Sequence, residues 1–147
     1  MYSFAYDKTT GLLVGVLKAK PYFAEDEDYA VMLDSIARNE SASRPGEPFK
    51  FILVIEPDVP MPNATWRRKF AKARDKNIFP WLFVTVTSSQ LLRGVLTMIN
   101  WVNPPAAGSA TAAAATFEEG LAWVEEKAKK KIPIARRLFE EANRLKR

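Results

Sequence analysis

The spacing of apolar and polar positions changes several times along this chain, and each change marks an element. From Phe51 to Ile55 five consecutive residues are apolar, Phe51, Ile52, Leu53, Val54 and Ile55, with no polar alternation. A strand with one wet face alternates, so an unbroken run predicts a central strand covered on both faces. Upstream, Ser3 to Tyr6 and Leu12 to Lys18 are short strand-like runs separated by the polar loop Asp7-Lys8-Thr9-Thr10-Gly11, a hairpin pattern. Lys20-Pro21 ends the hairpin. The period then becomes helical, with Tyr29, Met32, Leu33 and Ile36 forming one stripe behind the acidic run Glu25, Asp26, Glu27, Asp28. Negative charge in a first turn meets the positive end of the helix dipole, so capping accounts for the cluster. A divalent-ion site is the competing reading, and it suffers because adjacent carboxylates on a helix point in different directions.

Beyond the central run, three prolines between Pro57 and Pro62 predict a semi-rigid loop at the carboxyl end of the strand, a place where open sheets commonly bind ligands and partners. Thr65 is a plausible cap for a helix from Trp66 to Lys76 with Trp66, Phe70 and Ala73 inward. Its other positions carry Arg67, Arg68, Lys69, Lys72, Arg74 and Lys76 against the single acid Asp75. A solvated outer face is one account; a docking surface for an acidic partner or a phosphate-bearing ligand is the other, since unpaired cations so close together repel. A second strand is expected from Trp81 to Thr87, where Thr85 and Thr87 alternate with apolar residues and suggest partial exposure.

Ser88-Ser89 caps a helix from Gln90 to about Val102 that is apolar on more than one face, so part of it is available for an oligomer contact, for an apolar pocket, or for burial by the C-terminal extension. Asn103 to Ser109 is a break, and Thr111 to Thr116, TAAAAT, fits either helix or a short small-residue edge strand. Thr116-Phe117-Glu118-Glu119 is a capping box launching a helix with Leu121, Val124 and Ala128 inward. Pro133 starts a last helix with Ile134, Leu138, Ala142 and Leu145 at helical spacing. The predicted class is therefore α/β: a mostly parallel sheet of four to five strands with an N-terminal antiparallel hairpin, helices on both faces and an extra C-terminal helix. Residues 1–131 form the α/β domain, and 132–147 a basic amphipathic helix that either packs on it or is lent to a partner, an acidic membrane surface or nucleic acid.

Composition narrows the chemistry. The 147 residues include no Cys and no His, which removes Cys/His zinc sites, disulfides, thiol nucleophiles and imidazole bases together. No glycine-rich phosphate loop is present, and Asp58, a lone carboxylate in the proline-rich loop, defines no mechanism without a base partner or oxyanion donor. No catalytic residue, metal ligand or cofactor is nominated, and the expectation is a protein that is not an enzyme. The net charge of +5 lies entirely after Val124. The rest of the chain is balanced, so a nucleic-acid partner is not expected. No secretory pattern opens the chain and no stretch of about 18 apolar residues crosses it, which predicts a cytoplasmic protein with no transmembrane segment.

The strand FKFILVIEP followed by a Trp-containing helix, the strand WLFVTVTS followed by SQLLRGVLTMINW, and the ending TFEEGLAWVEE together resemble the STAS family, in particular its SpoIIAA-like branch, also described as similar to Sec14-type lipid-transfer domains. The likeness runs from Phe49 to Lys127. It implies a non-enzymatic regulatory module with a phosphorylated Ser or Thr at the start of the helix after the central strand, where Thr65 stands here. The family's acceptor lies in an Asp-Ser-Ser-Gly-like stretch, whereas this chain has Pro62-Asn63-Ala64-Thr65-Trp66 without glycine. On this reading Asp58, Asn63, Thr65, Arg67, Arg68 and Lys72 bind a protein partner. The alternative is a carrier of an apolar or lipid-like ligand, with Trp81, Phe83, Leu92, Leu96 and Trp101 lining the pocket and Arg93 at its mouth; the same surface could instead join two copies in a homodimer.

Overall fold

The structure, a computed structural model, describes residues 1–19, 23–41, 48–75, 80–94 and 108–144. Five strands form one sheet in the order of the chain: β1 (Tyr2–Asp7), β2 (Leu12–Leu17), β3 (Phe49–Ile55), β4 (Trp81–Val86) and β5 (Ala110–Ala114). β1 and β2 are antiparallel, and every later pairing is parallel. The helices are α1 (Glu25–Ser41), α2 (Ala64–Asp75), a helical segment α3 over residues 90–94, α4 (Phe117–Ala128) and α5 (Ala135–Asn143).

Strand order explains how the layers are filled. From β2 to β5 each strand is added on the same side of the one before, so right-handed crossovers deliver the connecting helices to one face. α1 and α2 lie there, and Tyr29, Met32, Trp66 and Phe70 pack on Leu13, Leu17, Phe49, Phe51, Leu53 and Trp81. The other face is left to whatever follows β5. α4 and α5 cover it, with Phe117, Leu121, Val124, Leu138 and Ala142 against Leu12, Val14, Val16, Ile52, Val84 and Val86. Neighbouring residues of β2, β3 and β4 thus serve opposite cores, as the pleat requires. β3 is the middle strand, and Phe51, Ile52 and Leu53 are buried on alternate faces. Each such side chain contributes about 1.5–3 kcal/mol by leaving water.

The C-terminal helix packs on the domain: of the expected stripe, Leu138 and Ala142 join the core and Ile134 packs against it, Leu145 lies outside the described residues, and Ala135 with the preceding Ile132 completes the buried set. The Ser3 hydroxyl donates to the carbonyl of Ala142. The ambiguous alanine run is β5, an edge strand whose Ala110–Ala114 pairs with Leu82–Val86. That pairing corrects the expectation for Thr85 and Thr87, which are 6% and 2% exposed. β5 makes β4 an internal strand, so its polar alternation reports no water. Lys50 on β3 is fully buried, and its ammonium donates to the carbonyls of Thr10 (2.9 Å) and Pro48 (3.3 Å), tying the hairpin loop to the central strand.

Candidate partner-binding surface

The loop after β3 is anchored in its first half. Glu56 N donates to the Leu17 carbonyl, and Val59 is buried in the core beneath α1 and α2. Between these anchors and the helix, Asp58, Pro60, Met61 and Asn63 face solvent. Asn63, not Thr65, caps α2: its side-chain oxygen accepts from Trp66 N at 2.9 Å. Both residue types cap well, and the backbone enters the helix at Ala64, which leaves Thr65 inside the first turn with an exposed side chain.

The acidic run of α1 does more than cap its own helix. Asp28 accepts from the Ala24 and Tyr2 amides and pairs with the Met1 ammonium at 3.0 Å. Glu25 accepts from Asn63 N at 3.3 Å, and Asp26 accepts from the indole nitrogen of Trp66 at 2.7 Å. Two of the four carboxylates therefore fasten the start of α1 to the start of α2, which sets the two helices level at that end. Trp66 is buried against Tyr29 and Phe70, with ring centroids 5.6 and 6.0 Å away. Burial, with the nearby Glu25 and Asp28 carboxylates, pushes the Tyr29 hydroxyl up to about 12. Among the described residues no three side chains of metal-ligating type converge.

The cations stand on the outer side of α2. Arg67, Arg68, Lys69 and Lys72 are all exposed. Arg67 donates to the Pro62 carbonyl at 2.6 Å, and the Lys69 ammonium lies 4.3 Å from the centre of the Trp66 ring. Among the described residues Arg68 and Lys72 have no ion-pair partner. A shallow open depression between the helices is lined by Asp26, Ala30, Asn63, Thr65, Trp66 and Lys69, so the charge around Thr65 is mixed. The described strand order never reverses, so among the described strands there is no topological switch point of the kind at which doubly wound sheets hold ligands.

Compared with known proteins, the chain matches no family model, no curated protein and no solved structure. The resemblance to STAS domains accordingly rests on the residues that carry it.

Of the expected partner-binding residues, Asn63, Thr65, Arg67, Arg68 and Lys72 come together on one helix and its entrance, with Asp58 in the loop leading to it. The apolar set is not gathered in the same way. Trp81 is buried in the core under α1 and α2, and Phe83 is stacked 5.0 Å from Phe51 in the same layer. Leu92 is half-buried in the turn capped by Ser89, and Arg93 donates to the Thr87 carbonyl at 2.7 Å. Leu96 and Trp101 lie outside the described residues. Sequence reasoning missed Glu25 and Asp26 as parts of this surface; the one available signal was a first turn with more carboxylates than its own amides require.

Proposed function

We propose that this protein is a non-enzymatic interaction module that docks an acidic protein partner on the loop over residues 56–63 and on the outer side of α2. The observation that carries this reading is the set of exposed cations Arg67, Arg68, Lys69 and Lys72 on one twelve-residue helix whose first turn holds no acid. Cations near a helix N-terminus oppose the dipole at about 0.3–1 kcal/mol each. Like charges three or four residues apart, such as Arg68 and Lys72, add about 0.2–0.5 kcal/mol per pair. A sequence optimised only for the helix would put an acid there. An acidic surface on a partner relieves the repulsion, and the anchored loop beside it presents Asp58 and Met61 on a rigid support. The resemblance to STAS domains, which act by binding other proteins, points the same way.

The test is recovery of partners on immobilised protein. Substituting Arg67→Glu, Arg68→Glu and Lys72→Glu together should release the bound partner while leaving the circular dichroism spectrum unchanged, and raising the salt should do the same for the wild type. Retention of every partner by the triple variant would refute the reading.

A further inference from the structure

The outer surface of the α1–α2 layer carries two parallel stripes of opposite sign. Glu27, Val31 and Asp34 lie four and three residues apart on α1, and all are exposed, Val31 by 46%. They face away from the Tyr29–Met32–Ile36 stripe that α1 buries. On α2, Arg68 and Lys72 lie four apart on the side opposite Trp66 and Phe70. The helix starts are level because Glu25 bonds to Asn63 and Asp26 to Trp66. At 1.5 Å per residue, Glu27 stands about 1.5 Å and Asp34 about 12 Å beyond Asp26, while Arg68 stands about 3 Å and Lys72 about 9 Å beyond Trp66. The acids and the bases therefore occur at nearly matching heights.

We infer that the partner fitted to this surface is a second copy of the chain, docked about a two-fold axis that runs along the groove between α1 and α2. This deepens the reading of α2 as a docking face and rests on it. Rotation about that axis exchanges the stripes at constant height, so Glu27 meets Arg68 of the second copy and Asp34 meets its Lys72, each contact occurring twice. An axis at right angles to the groove would instead set acid on acid and base on base, so the charges choose one arrangement. Asp34 already touches Arg38 at the surface, but an exposed pair of this kind is weak and leaves the carboxylate able to accept a second cation. Val31 supplies the apolar centre, covered by the methylene stem of the opposing lysine. Two helices about 18–25 Å long and about 10 Å wide offer on the order of 400 Å² per copy, half of a standard interface. The dimer is therefore transient and held largely by charge.

Sedimentation velocity on the full chain decides the matter. At about 0.02 M salt the average mass should rise with concentration towards twice 16.6 kDa, and at about 0.5 M salt it should stay at the monomer value. Glu27→Lys and Arg68→Glu should each abolish association at low salt. An equimolar mixture of the two variants should restore it, because every contact is then again between opposite charges. A wild type that stays monomeric at low salt overturns the inference, as does a dimer that survives both single substitutions. Monomeric protein that still captures an acidic partner through Arg67, Arg68 and Lys72 overturns this inference and leaves the broader reading standing.

Discussion

Gly120 offers a test in which local propensity and tertiary packing predict opposite signs. It lies within α4, where glycine costs about 1 kcal/mol relative to alanine, so the helix taken alone predicts that Gly120→Ala stabilises the protein by that amount. In the folded chain α4 lies so close to β4 that a Cβ at this position would stand 2.8 Å from Val86 Cγ2 and 3.5 Å from Val84 Cγ1. Ordinary contact would require a shift of several tenths of an ångström. Val86 is β-branched, stiff at χ1 and buried, so its methyl group cannot simply swing aside into solvent. Overpacking of this kind costs about 1–3 kcal/mol. The clash outweighs the propensity gain, and Gly120→Ala should lose about 1 kcal/mol, or about 2–4 °C in Tm for a chain of this size. Gly94 in α3 is the control: among the described residues an added Cβ there meets nothing within 4 Å, so Gly94→Ala meets no clash and should gain up to about 1 kcal/mol. Urea titration of both variants reads the two signs directly. If Gly120→Ala stabilises as much as Gly94→Ala, the close approach of α4 to β4 is refuted.

Lys129 ends α4 in the left-handed conformation at φ 58°, with its amide and that of Lys130 closing onto the Glu126 and Glu125 carbonyls. Lys129→Gly should therefore stabilise the protein by about 1 kcal/mol in a urea titration, and an unchanged or lower midpoint would count against the cap. Trp66→Phe keeps an aromatic ring in the core but removes the donor to Asp26, so it should cost about 1–2 kcal/mol; Asp26→Asn should cost less, because it retains an acceptor. If the cost of Trp66→Phe is the same with Asn at position 26 as with Asp, the charge on Asp26 contributes nothing. The Tyr29 hydroxyl is raised from 10.0 to about 12, so the folded state holds its proton where the unfolded chain releases it. Stability is then full below about pH 10 and falls as the pH rises towards 12, and Tyr29→Phe should flatten that decline in a series of urea titrations.

The order of elements could be read from the chain because burial imposes a period. Phe51 to Ile55 has no polar alternation since both faces of β3 are covered, and Thr116 to Glu119 spells its cap because the bonds it makes are local: Thr116 accepts from Glu119 N and Glu119 from Ala115 N. The cations of α2 were legible for the same reason, as helical spacing alone separates them from Trp66 and Phe70. What the sequence could not decide is whatever depends on a neighbour far along the chain. Thr85 and Thr87 are buried where β5 pairs outside β4, and the alanine run of β5, whose own propensity favours helix, is a strand because β4 offers it hydrogen bonds. Asn63 and Thr65 are both good caps, and only the path of the loop, held by Glu25, selects the first. Asp26 and Trp66 are forty residues apart and become partners only when consecutive right-handed crossovers lay α1 beside α2 on one face. Local patterning therefore determined the strands, the helices and the faces they bury. The juxtaposition of an acidic helix with a basic one, on which the proposed docking rests, came from strand order, because only the folded sheet brings those two surfaces side by side.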